Sequence, residues 1–510
     1  VGLGEPKNRQ HLCGDYKEGE MRISVIGCGY VGLVAGACLA EAGHDVVCLD
    51  KDSARIAILK SGQVPFYEPN LDRVISTNCH EDRLRFTTDT TEAVRFGDAI
   101  FICVGTPPRD SGEADLSALD SVARQIGIAA ESPKLVIEKS TVPALTGKRL
   151  KRALALYGRN GHGMFRVASN PEFLREGTAV ADFFHPDRIV FGVEDKASER
   201  QLREIYRPIL NGQFRCPVHA LSCPERKLPP IMVTSINGAE LVKHASNSFL
   251  AMKISYANIL ADYCEHLGAD VVDVCRAIGM DPRIGSEFLR AGLGYGGYCL
   301  PKDLQAFMHL GENAGINVGL LREIDHINKN RIEVFLQKVR HSLWVVKDKQ
   351  VGILGLSFKA ETDDIRFAPS LQVIRRLRAE GARISAYDPQ AMQRMQEVFP
   401  DIDYGHDPYE VARDAEALLI LTPWKEFSGL NWNRVRNLMA RPLIIDGRNL
   451  LDPSAMSRLG FEIYSVGRPD VGVPVQPVQH PEVDVLATEP REAVPVPVDS
   501  VMSFYDAQEA

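Results

Sequence analysis

The chain lacks the devices that hold a small secreted scaffold together. Its eleven cysteines, spread over 510 residues, form no CxxC pair and no regular framework spacing, so neither disulfides nor a structural zinc are expected. Cys28, Cys38, Cys48, Cys103 and Cys275 sit inside apolar patterns, where a thiol packs as a small hydrophobe. No apolar run reaches the roughly 18 residues that span a bilayer. The polar opening VGLGEPKNRQHLCGDYKEGE has no apolar signal core, and the expectation is a soluble, cytosolic protein with no membrane partner. A basic footprint is missing too. The formal net charge is -8, which argues against long nucleic acid as a ligand. Most of that charge lies in residues 471–510, where Glu482, Asp484, Glu489, Glu492, Asp499, Asp506 and Glu509 face only Arg491. The remaining body is nearly neutral.

What is present is enough chain, 45% hydrophobic, for two or three domains with cores of their own. From Met21, short β-branched runs (RISVIG, DVVCLD, AIFICVG, KLVIEKS) alternate with helical periodicity, the pattern of a parallel α/β sheet. CPERKLPP at 223–230 closes that region. Residues 239–267 then run without Pro or internal Gly and predict one helix about 43 Å long. A second α/β block begins at QVGILGLSF and ends at PLIIDGR. The expected fold class is α/β, with two Rossmann-like doubly wound domains joined by a central long-helix region. The expected boundaries are 1–20 for a flexible extension, 21–230 for the first domain, 231–340 for the helical centre and 341–468 for the second α/β domain. Residues 469–510, rich in Pro and acid, read as a disordered tail.

The run ISVIGCGYVG places Gly27, Gly29 and Gly32 after a strand and at the opening of a helix. There the glycines permit a tight turn and close approach of a pyrophosphate, which the amides of Tyr30 and Val31 would face. Asp50, at the end of the next strand, can accept hydrogen bonds from both ribose hydroxyls and would repel a 2′-phosphate, so NAD is the expected cofactor. Lys51 beside it tempers that discrimination.

A thiol follows where a simple alcohol dehydrogenase needs none. GLGYGGYCLPKD runs from a glycine loop into a helix, with Pro301 suited to the first turn. Cys299 would lie just before that helix, where the macrodipole and Lys302 favour thiolate. Oxidising an aldehyde by hydride transfer first requires a tetrahedral adduct, which a thiolate supplies. Cys299 could equally be a buried cap residue, and Asp303 a complement to the helix dipole. On the long helix, Lys243 and Asn247 share a face at i, i+4, and together could stabilise an oxyanion; a surface lysine is the plainer reading of Lys243.

With these motifs stand VGTPP at 104–108, KSTVP at 139–143, SNPEFLREG at 169–177, GLSFKAETDDIR at 355–366 and DGR at 446–448. In this order, over about residues 21–467, the sequence resembles the UDP-glucose/GDP-mannose dehydrogenase family. The resemblance implies a four-electron oxidation of a nucleotide sugar, UDP-glucose foremost, to its uronate, using two NAD and one water. It implies Cys299 as the thiohemiacetal and thioester nucleophile, Lys243 and Asn247 as oxyanion stabilisers, Asp303 as a positioner of base or water, and Glu172 and Thr141 as holders of the hydrolytic water. Substrate contacts carry over to Glu172, Phe173, Leu174, Glu176, Lys243, Asn247, Arg283, Tyr295, Gly296, Phe358, Lys359 and Arg448. Cofactor contacts carry over to Asp50, Arg55, Thr106, Thr141, Glu176, Lys302 and Arg366. It also implies a homodimer or higher assembly built on the central helices. GDP-mannose or a UDP-N-acetylhexosamine are alternative substrates, and a catalytically silent nucleotide-sugar or NAD-binding protein is an alternative of another class. The sequence departs from the family pattern at Tyr298, Asn70 and Phe367, and Tyr298 adjoins the thiol.

Overall fold

A computed structural model of the protein describes residues 20–109, 111–158, 163–214, 216–219 and 228–469. The expected extension at 1–20 and tail at 469–510 lie outside the described residues but for their innermost positions.

The first β-branched runs build a sheet of eight strands among the described residues: β1 (Arg22–Ile26), β2 (Asp45–Leu49), β3 (Leu84–Thr87), β4 (Ala99–Ile102), β5 (Lys134–Glu138), β6 (Phe165–Ser169), β7 (Ile189–Gly192) and β8 (Ile231–Thr234). Their order is β3-β2-β1-β4-β5-β6-β7-β8. Neighbours are parallel except β6 and β7, which meet antiparallel at Ser169 and Gly192. Helices cover both faces, so β4 and β5 are buried at every residue; that is why they read as continuous apolar runs rather than alternating ones. β1 pairs with both β2 and β4. The chain order reverses there, and the crevice at the carboxyl ends of these strands is the topological switch point of the sheet.

β8 is the edge strand of the first sheet. Ile231 pairs with Ile189 of β7, so the sheet runs four residues past the expected limit at 230, and the helical centre begins at Ile236. The signal was the β-branched run IMVT, masked by the prolines before it. The predicted long helix spans Ile236–Leu267. The Ser235 hydroxyl caps its first turn by accepting the Gly238 amide at 3.1 Å, and Gly268, with φ 73°, ends it in the left-handed conformation. Helices Cys299–Asn313 and Gly319–Leu343 pack against it.

The second sheet holds β9 (Gln350–Leu354), β10 (Arg383–Tyr387), β11 (Asp403–Tyr404), β12 (Ala417–Ile420), β13 (Leu443–Asp446) and β14 (Glu462–Ser465). It is parallel throughout, in the order β11-β10-β9-β12-β13-β14. Both sheets thus have the doubly wound form. No helix among the described residues is long and apolar enough to cross a membrane.

Candidate active site

At the switch point of the first sheet, Gly27 leaves β1 with φ +101°, and a Cβ there would sit 2.7 Å from the Cys103 carbonyl oxygen; only glycine makes this turn. At Gly32 a Cβ would fall 1.8 Å from the Gly27 carbonyl oxygen. Gly29 is different, since a Cβ there would meet nothing within 4 Å. Gly29 caps the helix Tyr30–Glu41 without any side-chain hydrogen bond, so an open cradle lies before amides that suit a pyrophosphate. Asp50 borders it. Its Oδ2 accepts the Cys28 amide at 2.7 Å and Arg55 Nη1 at 3.2 Å, and its Oδ1 accepts the Asp52 amide at 2.9 Å. Oδ1 keeps lone-pair capacity for a ribose hydroxyl.

Two expected cofactor contacts are already engaged within the protein. The Tyr30 hydroxyl bonds to Glu68 and accepts the Gly177 amide at 3.1 Å, so its ring locks the 177 loop and only its amide faces the cradle. The Thr106 hydroxyl donates to the Thr141 carbonyl at 2.7 Å, tying the loops after β4 and β5 together.

A cavity of about 910 Å³ opens beside this crevice, within the usual range for ligand sites. The segment after β6 supplies Asn170 to Glu176, the long helix supplies Lys243 and Asn247, the glycine loop supplies Gly294 to Cys299, and the second α/β domain supplies Phe358, Lys359 and Arg448. A smaller cavity of about 340 Å³, between the helices Ser117–Ala129 and Thr146–Tyr157, shares none of these residues.

Lys243 is buried against Glu172, its Nζ 2.9 Å from Oε1. Burial works against the ammonium, but Glu172 and then Asp303 outweigh it and hold the pKa above the ordinary lysine range, so Lys243 carries its proton. One helical turn on, Asn247 Nδ2 donates to Asp303 Oδ2 at 2.5 Å, and Lys302 Nζ donates to Asp303 Oδ1 at 2.5 Å. Burial opposes the Asp303 charge; Lys302, His244 and Lys243 reverse that and keep its carboxyl below the usual range. The pattern is a fixed set of alternating charges around one thiol.

Cys299 opens the helix Cys299–Asn313. Its side chain is accessible from the cavity although protein surrounds the cavity wall. Burial pushes its pKa up to about 12, Glu172 adds to the rise, and Lys243 opposes it. This direction runs against the expected bias toward thiolate. The physical reason is burial first and then the charge of Glu172, while Lys302, expected to favour the anion, is bonded to Asp303.

The glycine loop is held by its neighbours. A Cβ on Gly297, where φ is +75°, would strike the Phe358 ring at 2.7 Å, so this glycine lets the second α/β domain close over the loop. Tyr298 lies between cations, with the Arg366 guanidinium 4.8 Å and the Lys302 ammonium 5.8 Å from its ring centre. It thus covers the loop beside Cys299. Arg448 is pinned by three carbonyls, those of Leu421 at 2.7 Å, Gly294 at 3.0 Å and Phe358 at 3.4 Å, and burial brings its pKa down to about 10. Glu176 meets Arg366 at 3.4 Å; burial, then Asp364, push its carboxyl up to about 8.

The chain does not bring every expected residue to the cavity. Arg283 stands 87% exposed, its guanidinium bound to Asp281 at 2.6 Å, and it is absent from the lining. Thr141 is likewise absent from the lining and is held through its carbonyl to Thr106. Other lining residues were missed. Lys139 donates to Asn170 Oδ1 at 3.1 Å, and Tyr206 donates to the same oxygen at 2.6 Å. The Arg188 guanidinium sits 3.8 Å from the centre of the Phe173 ring. Lys139 was visible only inside the motif KSTVP; Arg188 and Tyr206 stand in no motif that would have marked them.

Models of the UDP-glucose/GDP-mannose dehydrogenase family match the chain in three parts, an NAD binding domain at 21–210, a central domain at 237–330 and a UDP binding domain at 352–453. The chain is 42% identical over 454 residues to the UDP-glucose 6-dehydrogenase of Rhizobium meliloti, covering 88% of this chain and 100% of that protein. It is 39% identical over 451 residues to UDP-glucose 6-dehydrogenase TuaD of Bacillus subtilis, covering 88% and 94%. Among solved structures, a UDP-glucose dehydrogenase from Pyrobaculum islandicum superposes with a TM-score of 0.77 at 37% identity, covering 86% of this chain and 96% of that one. A UDP-D-ManNAc dehydrogenase from Pyrococcus horikoshii gives 0.75 at 27% identity, covering 88% and 100%.

Proposed function

Because the chain belongs to the UDP-glucose/GDP-mannose dehydrogenase family and is an NAD-dependent dehydrogenase, we propose that it oxidises the C6 alcohol of UDP-glucose to the carboxylate of UDP-glucuronate through Cys299. The observation that carries this is that Cys299, Lys243, Glu172 and Asn247 line one cavity, with the buried Lys243 paired to Glu172 and Asn247 bonded to the buried Asp303 behind it. Bound at the Gly27–Gly32 turn, NAD supplies the hydride acceptor, twice per sugar. The residues of the chain do the rest. Lys243, held in its charged form by Glu172 and Asp303, and the Asn247 amide stabilise the oxygen on C6 as it loses its proton and later as the C6 carbon becomes tetrahedral. Cys299 sulfur adds to the aldehyde carbon and yields a thiohemiacetal. Loss of a second hydride leaves a thioester. Water attacks the thioester carbon, the C–S bond breaks, and the thiol regains a proton. Glu172, 2.9 Å from Lys243, is the carboxylate placed to take the proton from that water.

Phe358, Lys359 and Arg448 lie in the portion matched by the UDP binding domain, and we assign the nucleotide to that side of the cavity. UDP-glucose is preferred over an N-acetylated sugar because similarity is higher to the proteins named for it. A homodimer through the central helix fits the apolar side chains left exposed on it: Leu241, Tyr256, Tyr263 and Leu267. A panel of UDP-glucose, GDP-mannose and UDP-N-acetylhexosamines, followed by NADH and acid formation, tests the substrate. The expected result is acid from UDP-glucose with at least about tenfold higher kcat/KM than from the others; equal or greater efficiency with an N-acetylhexosamine would overturn it.

A further inference from the structure

The chain also gathers three soft donors that the proposed reaction does not use. His185 ends the short helix Ala179–Phe184, and Cys216 and His219 lie in the segment that follows the helix Lys196–Leu210. Their ligand atoms all lie within 4.8 Å of one another. His185 Nε2 is 3.2 Å and His219 Nδ1 is 3.4 Å from the single sulfur of Cys216. We propose that His185, Cys216 and His219 form a structural zinc site, which the spacing of the cysteines alone did not lead us to expect.

Three observations carry this. The first is size. With Zn–S near 2.3 Å and Zn–N near 2.0–2.1 Å, a tetrahedral ion sets its sulfur and nitrogen ligands about 3.5 Å apart, close to both distances here. The second is chemistry. One thiol sulfur and two imidazole nitrogens face one another, and a cation can take all three as ligands together. One thiolate with two imidazoles suits a borderline-soft divalent ion and not magnesium or calcium. The third is the backbone. Cys216 is buried at 8% exposure, and the amide of His219 donates to its sulfur at 3.4 Å. That hydrogen bond holds the sulfur beside the His219 ring within a Cys-x-x-His step. In the sequence these two open the run CPVHALSC; its last residue, Cys223, lies outside the described residues and is not assigned to the site.

The placement gives the ion a task. His185 lines the substrate cavity together with Pro186, Asp187 and Arg188, which follow it directly, and Arg188 covers Phe173. Zinc would clip the segment at 216–219 to the end of the helix that leads into this wall. Binding exchanges the Cys216 proton for the metal, so one proton is released per ion and affinity falls as pH is lowered.

The experiment uses the full chain without an affinity tag, expressed with added zinc and desalted, and metal is counted by mass spectrometry. About one zinc per chain is expected, with at least about a tenfold reduction in Cys216→Ser and in His219→Ala. Cys299→Ser is expected to keep its zinc, because the ion does not use the reactive thiol. Should the variants fold poorly, cobalt(II) loading of the unaltered protein serves instead: a thiolate-to-cobalt charge-transfer band with intense tetrahedral d–d bands is expected. Melting temperature should fall with a zinc chelator and recover with zinc but not magnesium. Zinc well below stoichiometric after supplementation, zinc lost in Cys299→Ser but kept in Cys216→Ser, or cobalt spectra without a thiolate band would overturn the proposal.

Discussion

Cys299 experiences opposing influences. The start of a helix and the Lys243 ammonium favour its anion, while burial and the charge of Glu172 oppose it and win, leaving the thiol at about 12. With the pKa raised, the neutral thiol persists through physiological pH, and the thiolate fraction climbs ~tenfold per pH unit until the pKa is reached. Alkylation of Cys299 in the ligand-free protein, followed by mass spectrometry, is therefore expected to accelerate steadily from pH 7 to pH 10; a plateau below pH 8 would show a thiol that ionises early. At this scale the sequence was readable where partners are close along the chain. Lys243 and Asn247 share a helix face by spacing, and Cys299 sits at a glycine loop. The ion pair of Lys243 with Glu172 joins separate domains, and the capture of Lys302 by Asp303 depends on side-chain direction, so neither could be read from spacing.

Among the elements, the turn from β1 into the helix Tyr30–Glu41 is the most demanding piece of backbone. Gly32→Ala would drive a Cβ into the Gly27 carbonyl oxygen, 1.8 Å away, and overpacking of that kind costs about 1–3 kcal/mol. The expected outcome is a lowered denaturation midpoint together with weakened NAD binding by titration; unchanged values for both would mean that the turn relaxes freely. This element was legible because GxGxxG stands between an apolar run and helical periodicity. The long helix was legible because nothing in 239–267 breaks it. β8 was not, since four residues with no alternation cannot be told from the start of a helix, and only pairing with β7 decides it.

The chain joins two doubly wound sheets through a helix that leaves Tyr256 at 51% and Tyr263 at 62% exposure, side chains that the proposed homodimer would cover. Tyr256→Glu with Tyr263→Glu is expected to shift sedimentation from dimer toward monomer at micromolar concentration. An unchanged assembly would place the interface elsewhere. The two-domain plan was legible from alternating strands and helices, whereas the cavity between them was not, because its wall draws on segments from Asn170 to Arg448 that only folding brings together. In the proposed reaction one thiol carries the sugar through both oxidations without release. Its most direct test is the count of NADH formed per UDP-glucose consumed when the sugar is limiting and NAD is in excess. Two are expected, with the uronate as the only sugar product. One NADH per sugar, with the aldehyde accumulating, would contradict it.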